Sequence, residues 1–178
     1  MQRSAELRIE AGIKNKSTPE NLQIHYLADK PHLLPQLTDL FIAEWEPYYG
    51  NNGPGNAEND LRGSMNREQL PVCFIALGNE TLLGTISLKE KSISHNPELT
   101  PWCAALLVVP EMRRRGIGSA LVSALEREAR RRDYRELYMS TDTANSIAEA
   151  RGWKAIGSAE SMRGIVTVYK LSLGMERF

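Results

Sequence analysis

The chain has 178 residues and a mass of 20.0 kDa, and its 22 Lys and Arg balance 22 Asp and Glu. At 42% hydrophobic and 25% charged residues it has the make-up of a globular chain with one core. Zero net charge argues against a nucleic-acid binder, no apolar run is long enough to span a membrane, and two cysteines are too few for a disulfide framework or a thiolate zinc site.

Residues 1–21 mix charge with Ser, Thr and Pro and show no period. They read as a disordered N-terminal extension to a single domain over 22–178. The start of the chain has no apolar signal-peptide core, so a cytoplasmic, reducing location is the expectation. Leu22 to Leu27 alternates as a strand. Leu33, Leu34, Leu37, Leu40, Phe41 and Trp45 recur at helical spacing and form one apolar stripe over 32–45. Pro31 and Pro35 fall near its start, where proline is tolerated. Tyr49 to Asn56 is dense in Gly and Asn and reads as a long exposed loop, followed by a short helix over 57–69.

Val72 to Leu77 and Leu82 to Leu88 flank Gly78-Asn79-Glu80 as a hairpin. Trp102 to Val109 is apolar without a break, the mark of a central strand covered on both faces. From Gly116 to Arg132 the pattern is helical. Ile117, Leu121, Leu125 and Ala129 share a face with Val122 beside them, while Glu126, Arg127, Arg130 and Arg131 are expected in solvent. Arg130 to Arg132 suit the negative pole of that helix. A strand over 137–139, a helix over 144–151 stopped by Gly152, and strands over 154–158 and 165–173 complete the chain. The order β-α-α-β-β-β-α-β-α-β-β predicts an α/β (α+β) fold with helices packed on a mixed sheet.

The chemistry concentrates between Leu106 and Ser119. A buried strand ends at Pro110, and a loop with Arg113, Arg114, Arg115, Gly116 and Gly118 leads straight into a helix. The first N–H groups of that helix have no internal partner and carry the positive end of its dipole. Glycine lets phosphate oxygens approach the backbone, and the arginines add charge that pH does not remove. The segment therefore reads as a pyrophosphate cradle, in which a bulky residue at Gly118 would fill the phosphate space. A dinucleotide fingerprint would need glycine where Leu121 stands, and no Walker A pattern is present.

Arg113-Arg114-Arg115-Gly116-Ile117-Gly118 resembles the Arg/Gln-x-x-Gly-x-Gly/Ala signature of the GCN5-related N-acetyltransferase (GNAT) superfamily. The Val108-x-Pro110 lead-in, Pro101-Trp102, and the strand-helix unit ending in Gly152-Trp153 extend the likeness over roughly residues 22–173. The resemblance implies a mixed, mostly antiparallel sheet of six to seven strands, helices on both faces and a splayed central strand pair. It implies acetyl-CoA as co-substrate and a primary amine of a small molecule or peptide as acceptor, acetylated by direct attack in a ternary complex. By the same resemblance Leu106, Leu107 and Val108 hold the pantetheine arm. Arg113, Arg114, Arg115, Gly116, Ile117, Gly118 and Ser119 surround the pyrophosphate. A backbone N–H near Val108 polarises the thioester carbonyl. Trp45, Tyr48 and Tyr49, just before the loop, are candidates for the acceptor pocket or for the core. Many relatives pair through sheet edges, so a homodimer is one expectation.

Proton handling is the gap in the pattern. The tyrosine that many relatives place five residues before the aromatic of the Gly-Phe/Trp pair is Ala148 here. The catalytic residues stay unassigned, with Glu98, His95, Ser140, Thr141 and Asp142 as weak candidates. A CoA-binding module of the same fold without turnover is the alternative reading. An arginine-rich contact to nucleic acid over 113–135 is disfavoured by the zero net charge, so no nucleic-acid and no membrane partner is expected. Cys73 and Cys103 sit in apolar runs as small buried hydrophobes, and His25, His32 and His95 show no ligand spacing with them, so no metal is expected.

Overall fold

The computed structural model describes residues 17–92 and 96–174. His95 and residues 1–16 of the N-terminal extension lie outside the described residues.

β1 (Leu22–Tyr26) is followed by two short 3-10 turns, then α1 (Leu34–Glu44), α2 (Glu46–Tyr49) and α3 (Ala57–Gly63). β2 (Val72–Gly78), β3 (Thr81–Lys89) and β4 (Trp102–Val108) lead to α4 (Ile117–Arg131). β5 (Glu136–Thr141), α5 (Asn145–Ala150), β6 (Lys154–Ser161) and β7 (Gly164–Ser172) complete the order. The seven strands form one sheet in the order β1-β2-β3-β4-β5-β7-β6, and β4–β5 is its parallel pair. Helices cover both faces of this mostly antiparallel sheet, as the family resemblance implies.

Local chemistry explains most element ends. Asn79 and Glu80, with φ of 49° and 66°, make a tight two-residue turn between β2 and β3. α3 starts where the Asn56 side chain accepts from the Asn59 N–H. It stops well short of the expected residue 69, because the Ser64 hydroxyl donates to the Asp60 carbonyl and Asn66 Nδ2 donates to the carbonyls of Gly63 and Pro71. The segment before β2 is thereby turned back instead of continuing as helix.

The core lies in two layers. On one face Ile117, Leu121, Val122, Leu125 and Ala129 of α4 pack against Phe74, Ile86, Leu88, Cys103 and Met139. On the other face Leu34, Leu37 and Phe41 of α1 and Leu61 of α3 cover Cys73, Ile75, Leu77 and Leu107. Each fully buried Leu or Ile contributes about 1.5–3 kcal/mol, so the two layers fix which face of β4 each helix sees.

Glu126 corrects the sequence reading. It was expected on the solvated face of α4, yet it is 5% exposed. Arg151 donates to both its oxygens at 2.9 and 2.6 Å, and the Trp153 indole N–H donates at 3.0 Å. The Gly152-Trp153 corner is thus tied to α4 through one carboxylate. Glu128 is also buried, held by Arg131 and Arg132 and by the Tyr26 hydroxyl.

Removing Arg151 strands a carboxylate that has little access to water. Arg151→Ala is expected to lower stability by about 2–3 kcal/mol, because the arginine itself keeps some solvent contact. Arg62→Ala, which breaks an exposed pair with Glu58, should cost about 0.5 kcal/mol or less. Urea denaturation of both variants checks this, and equal losses would contradict the burial argument.

Candidate active site

β4 and β5 pair at Trp102–Tyr138 and Cys103–Met139, and their ladder goes no further. The cause is visible on the other side of β4. Ser87 faces Ala104 and Thr85 faces Leu107, so two steps along β3 match three along β4. This bulge holds Ala105 at φ 52°, a left-handed conformation unusual for alanine. An extra residue turns β4 away from β5, and a cleft of about 740 Å³ opens where they part. Residues 103–106 of β4 form one wall and residues 139–144 at the end of β5 form another. Trp45, Tyr48 and Tyr49 close one side and the β6–β7 turn, residues 160–163, closes the other.

α4 begins directly after β4 and a single 3-10 turn at Pro110–Met112. Its N-cap is Gly116 at φ 78°, and no side chain caps the first turn. Arg114 is left-handed too, at φ 63°. A loop that alternates hands in this way turns successive N–H groups to one side, a cradle for an anion at the positive pole of a 15-residue helix. A Cβ at Gly116 would be left-handed and would approach the Thr18 hydroxyl at 3.3 Å. The Arg115 Nε is buried without a hydrogen-bond partner. An unpaired guanidinium N–H beside an uncapped helix start is a donor waiting for an acceptor.

The three arginines are not equivalent. Arg113 Nε donates to the Val108 carbonyl at 2.9 Å and its Nη2 to Glu44 Oε2 at 2.9 Å. It is turned toward α1, and one of the β4 carbonyls expected for a ligand is already in use. Arg114 is exposed, and Arg115 is half-buried with its free donor. Gly118 differs from expectation as well: a Cβ there meets Ile147 Cδ1 at 2.9 Å and Val108 Cγ2 at 3.7 Å. Its missing side chain serves the packing of α4 on α5. Ser119 faces Arg151, whose Nη1 lies 3.4 Å from its hydroxyl.

Leu106, Ser140, Thr141 and Asp142 line the cleft, as do Trp45, Tyr48 and Tyr49. Leu107 pairs with Thr85, and Val108 with Gly84. Glu98 does not line the cleft; it is exposed before the start of β4, whereas the strands part toward their C-terminal ends. The Thr141 hydroxyl accepts from the N–H groups of Thr143 and Ala144, which makes it the local brace of the turn into α5. Ala148 is fully buried under the sheet. Sequence reasoning missed Glu44, Glu160 and Arg163, which reach the cleft from distant elements.

Burial controls the titrating groups. Cys103 touches the cleft, but desolvation and the nearby Glu126 carboxylate push its thiol far above the ordinary value. It stays protonated at neutral pH and is a poor nucleophile. Burial, with a 2.7 Å hydrogen bond donated to Asp60, raises the Tyr49 phenol far out of the working range. Tyr49 is therefore a fixed wall. Asp60 is spent on Tyr49 and Glu58 on Arg62, so neither acid of α3 faces the cleft. Among the described residues no group of three or more His, Cys, Asp or Glu could hold a metal ion, and no helix is long and apolar enough to cross a membrane.

Tyr48 is backed by the loop over 50–56, which folds onto it. Gly53 N–H donates to the Gly50 carbonyl and Gly55 N–H to the Tyr48 carbonyl. The loop is exposed, as the sequence suggested, with its glycines turned in against Tyr48.

The sequence pattern of the acetyltransferase (GNAT) family matches residues 34–151. No curated protein matches the chain. Among solved structures, aminoglycoside 6'-acetyltransferase type Ii is 23% identical with a TM-score of 0.67, over 85% of this chain and 97% of that one. An aminoglycoside 6'-N-acetyltransferase complexed with coenzyme A is 18% identical with a TM-score of 0.68, over 88% and 99%. The yncA protein of Salmonella typhimurium, solved with its cofactor acetyl-CoA, is 16% identical with a TM-score of 0.65, over 88% and 96%. At these identities the structural likeness concerns the fold.

A Cβ at Gly55 would lie 2.3 Å from Tyr48 Cε1 and 2.8 Å from Tyr49 Cδ1. Gly55→Ala is expected to destabilise by about 1–3 kcal/mol through this overpacking. Gly63→Ala, where nothing lies within 4 Å, should change little. Urea denaturation separates the two, and a neutral Gly55→Ala would show that the loop is loose.

Proposed function

The chain belongs to the acetyltransferase (GNAT) family, and on that premise we propose that it moves the acetyl group of acetyl-CoA to a primary amine of a small molecule or peptide by direct attack in a ternary complex. One pairing of features carries this reading: β4 and β5 part after Cys103 and Met139, and α4, which the chain enters from the end of β4 through a short loop, starts without a side-chain cap. A ligand with a diphosphate at one end and a thioester at the other fits that pairing of features.

In this reading the N–H groups from Arg115 to Ser119 receive the diphosphate, and the free Arg115 Nε gains its missing partner. The unpaired edge of β4 beyond Cys103 offers backbone groups to the pantetheine amides, as a neighbouring strand would. The bulge at Ala105 and Leu106 sets the direction of that edge and so aims the sulfur into the cleft. A β4 N–H near the thioester stabilises charge that builds on the carbonyl oxygen.

The chemistry is one substitution. The amine nitrogen bonds to the carbonyl carbon, the carbon–sulfur bond breaks with its electron pair on sulfur, and nitrogen sheds its proton to water or a cleft carboxylate. An ordinary ammonium with pKa near 10.4 loses about 4–5 kcal/mol in reaching its neutral form at pH 7. Ala148 places no phenol where the sulfur departs. A thiol with pKa near 8.5 leaves as thiolate without help, at some cost in rate.

The same alanine favours a second reading, a fold that holds CoA without turning it over. Incubation with acetyl-CoA and a panel of amines, followed by thiol release and product mass, separates the two. Free thiol with an acetylated amine supports transfer. CoA binding in calorimetry with no thiol release for any amine supports the binding module.

Arg115→Ala should weaken CoA binding about three- to ten-fold at low salt and less at high salt, because a half-exposed charge is screened. Calorimetric titration at two ionic strengths checks this, and a loss that ignores salt would place Arg115 elsewhere.

A further inference from the structure

Arg163 crosses the cleft at the tip of the β6–β7 hairpin. The turn beneath it is fixed: its own N–H donates to Ser161 Oγ at 3.2 Å, and that hydroxyl donates to the Gly164 carbonyl at 2.9 Å. Gly164 takes φ 109°, so the turn closes tightly and the arginine side chain is left to reach outward. Its Nη1 stands 3.7 Å from Glu44 Oε1, and its Nε stands 3.7 Å from Asp142 Oδ2. Both distances are beyond hydrogen-bond reach.

The other guanidinium pairs of the cleft region are much closer. Arg113 meets the second oxygen of Glu44 at 2.9 Å, and Arg151 meets Glu126 at 2.6 Å. Arg163 is therefore attracted by two carboxylates without being locked to either. Asp142 has no other cation within ion-pair distance among the described residues. Glu44 lies beside Trp45 on one wall and Asp142 directly follows β5 on another, so the guanidinium bridges the space an acceptor has to cross.

The geometry points to Arg163 as a displaceable stand-in for a cationic acceptor: the acceptor carries a second positive centre besides the reacting amine, and that centre replaces the Arg163 guanidinium between Glu44 and Asp142. The inference rests on the acetyl-transfer reading of the cleft and narrows its substrate class to diamines and other polycations. Lys89 and Lys91 also line the cleft, from the end of β3, so the preference comes from the two carboxylates that Arg163 bridges and not from the charge of the cleft as a whole; an acceptor carboxylate placed at that bridge would meet Glu44 and Asp142. The cost of moving Arg163 is small, since loose, partly exposed pairs contribute little. The incoming ammonium regains the same attraction and can add direct hydrogen bonds at normal length.

Equilibrium binding tests this apart from turnover. CoA-loaded protein is titrated by calorimetry with 1,5-diaminopentane, pentylamine and 5-aminopentanoate. The wild type should bind the diamine about ten-fold more tightly than the monoamine, and the amino acid most weakly. Arg163→Met should tighten the diamine about two- to five-fold. Asp142→Asn should erase the preference for diamine over monoamine while CoA affinity holds. Weaker diamine binding in Arg163→Met, a wild-type preference for 5-aminopentanoate, or no binding of any of the three overturns the proposal. Absence of thiol release with a bound diamine would sink the transfer reading and leave this result standing.

Discussion

A single extra residue in β4 sets the terms for the whole molecule. Hydrogen bonds between neighbouring strands satisfy backbone groups that cannot be left dry at little cost. The bulge at Ala105 and Leu106 keeps the ladder to β3 and ends the ladder to β5 after Cys103 and Met139. The sheet accepts this because both faces are clamped. α4 lies across β2, β3 and β4 on one side, and α1 with α3 covers the other. Holding Ala105 in a left-handed conformation costs about 1–2 kcal/mol, which the two core layers offset several times over. What results is a stretch of strand edge with no strand beside it, close to a helix end with no cap. Both are unmet hydrogen-bonding potentials, and one short loop joins them.

Much of this was legible in the residues because it is written locally. The stripe on α4 needs only a period, the β2–β3 hairpin needs only its turn, and the Arg-Gly run between β4 and α4 needs only the geometry of a helix start. The features that stayed hidden depend on partners far along the chain. Glu126 looks like a surface acid until Arg151 and Trp153 come up beneath it. Arg113 gives no sign in the sequence of its pairing with Glu44, sixty-nine residues away. Gly118 looks like open space until Ile147 fills it. An unbroken apolar run such as Trp102 to Val109 predicts burial but carries no mark of register, so the bulge could be expected only through the family likeness.

The proton inventory of the cleft is equally a product of long-range packing. Burial disarms Cys103 and Tyr49, leaving a thiol and a phenol that hold their protons. Thr141 is engaged by the turn it supports. In the proposed transfer, chemistry at this cleft would lean on backbone donors and on the placement of the substrates.

Glu44 has two oxygens, and each meets a different arginine. One is taken by Arg113 from the loop before α4, the other is shared with Arg163 from the far hairpin. A carboxylate with two claimants ties the filling of one half of the cleft to the filling of the other. Whatever draws Arg113 toward an anion loosens its hold on Glu44, and the freed charge is then offered to a cation opposite. Linkage runs both ways with equal strength, so under the proposed transfer the two substrates would report on each other through one side chain and favour joint occupancy.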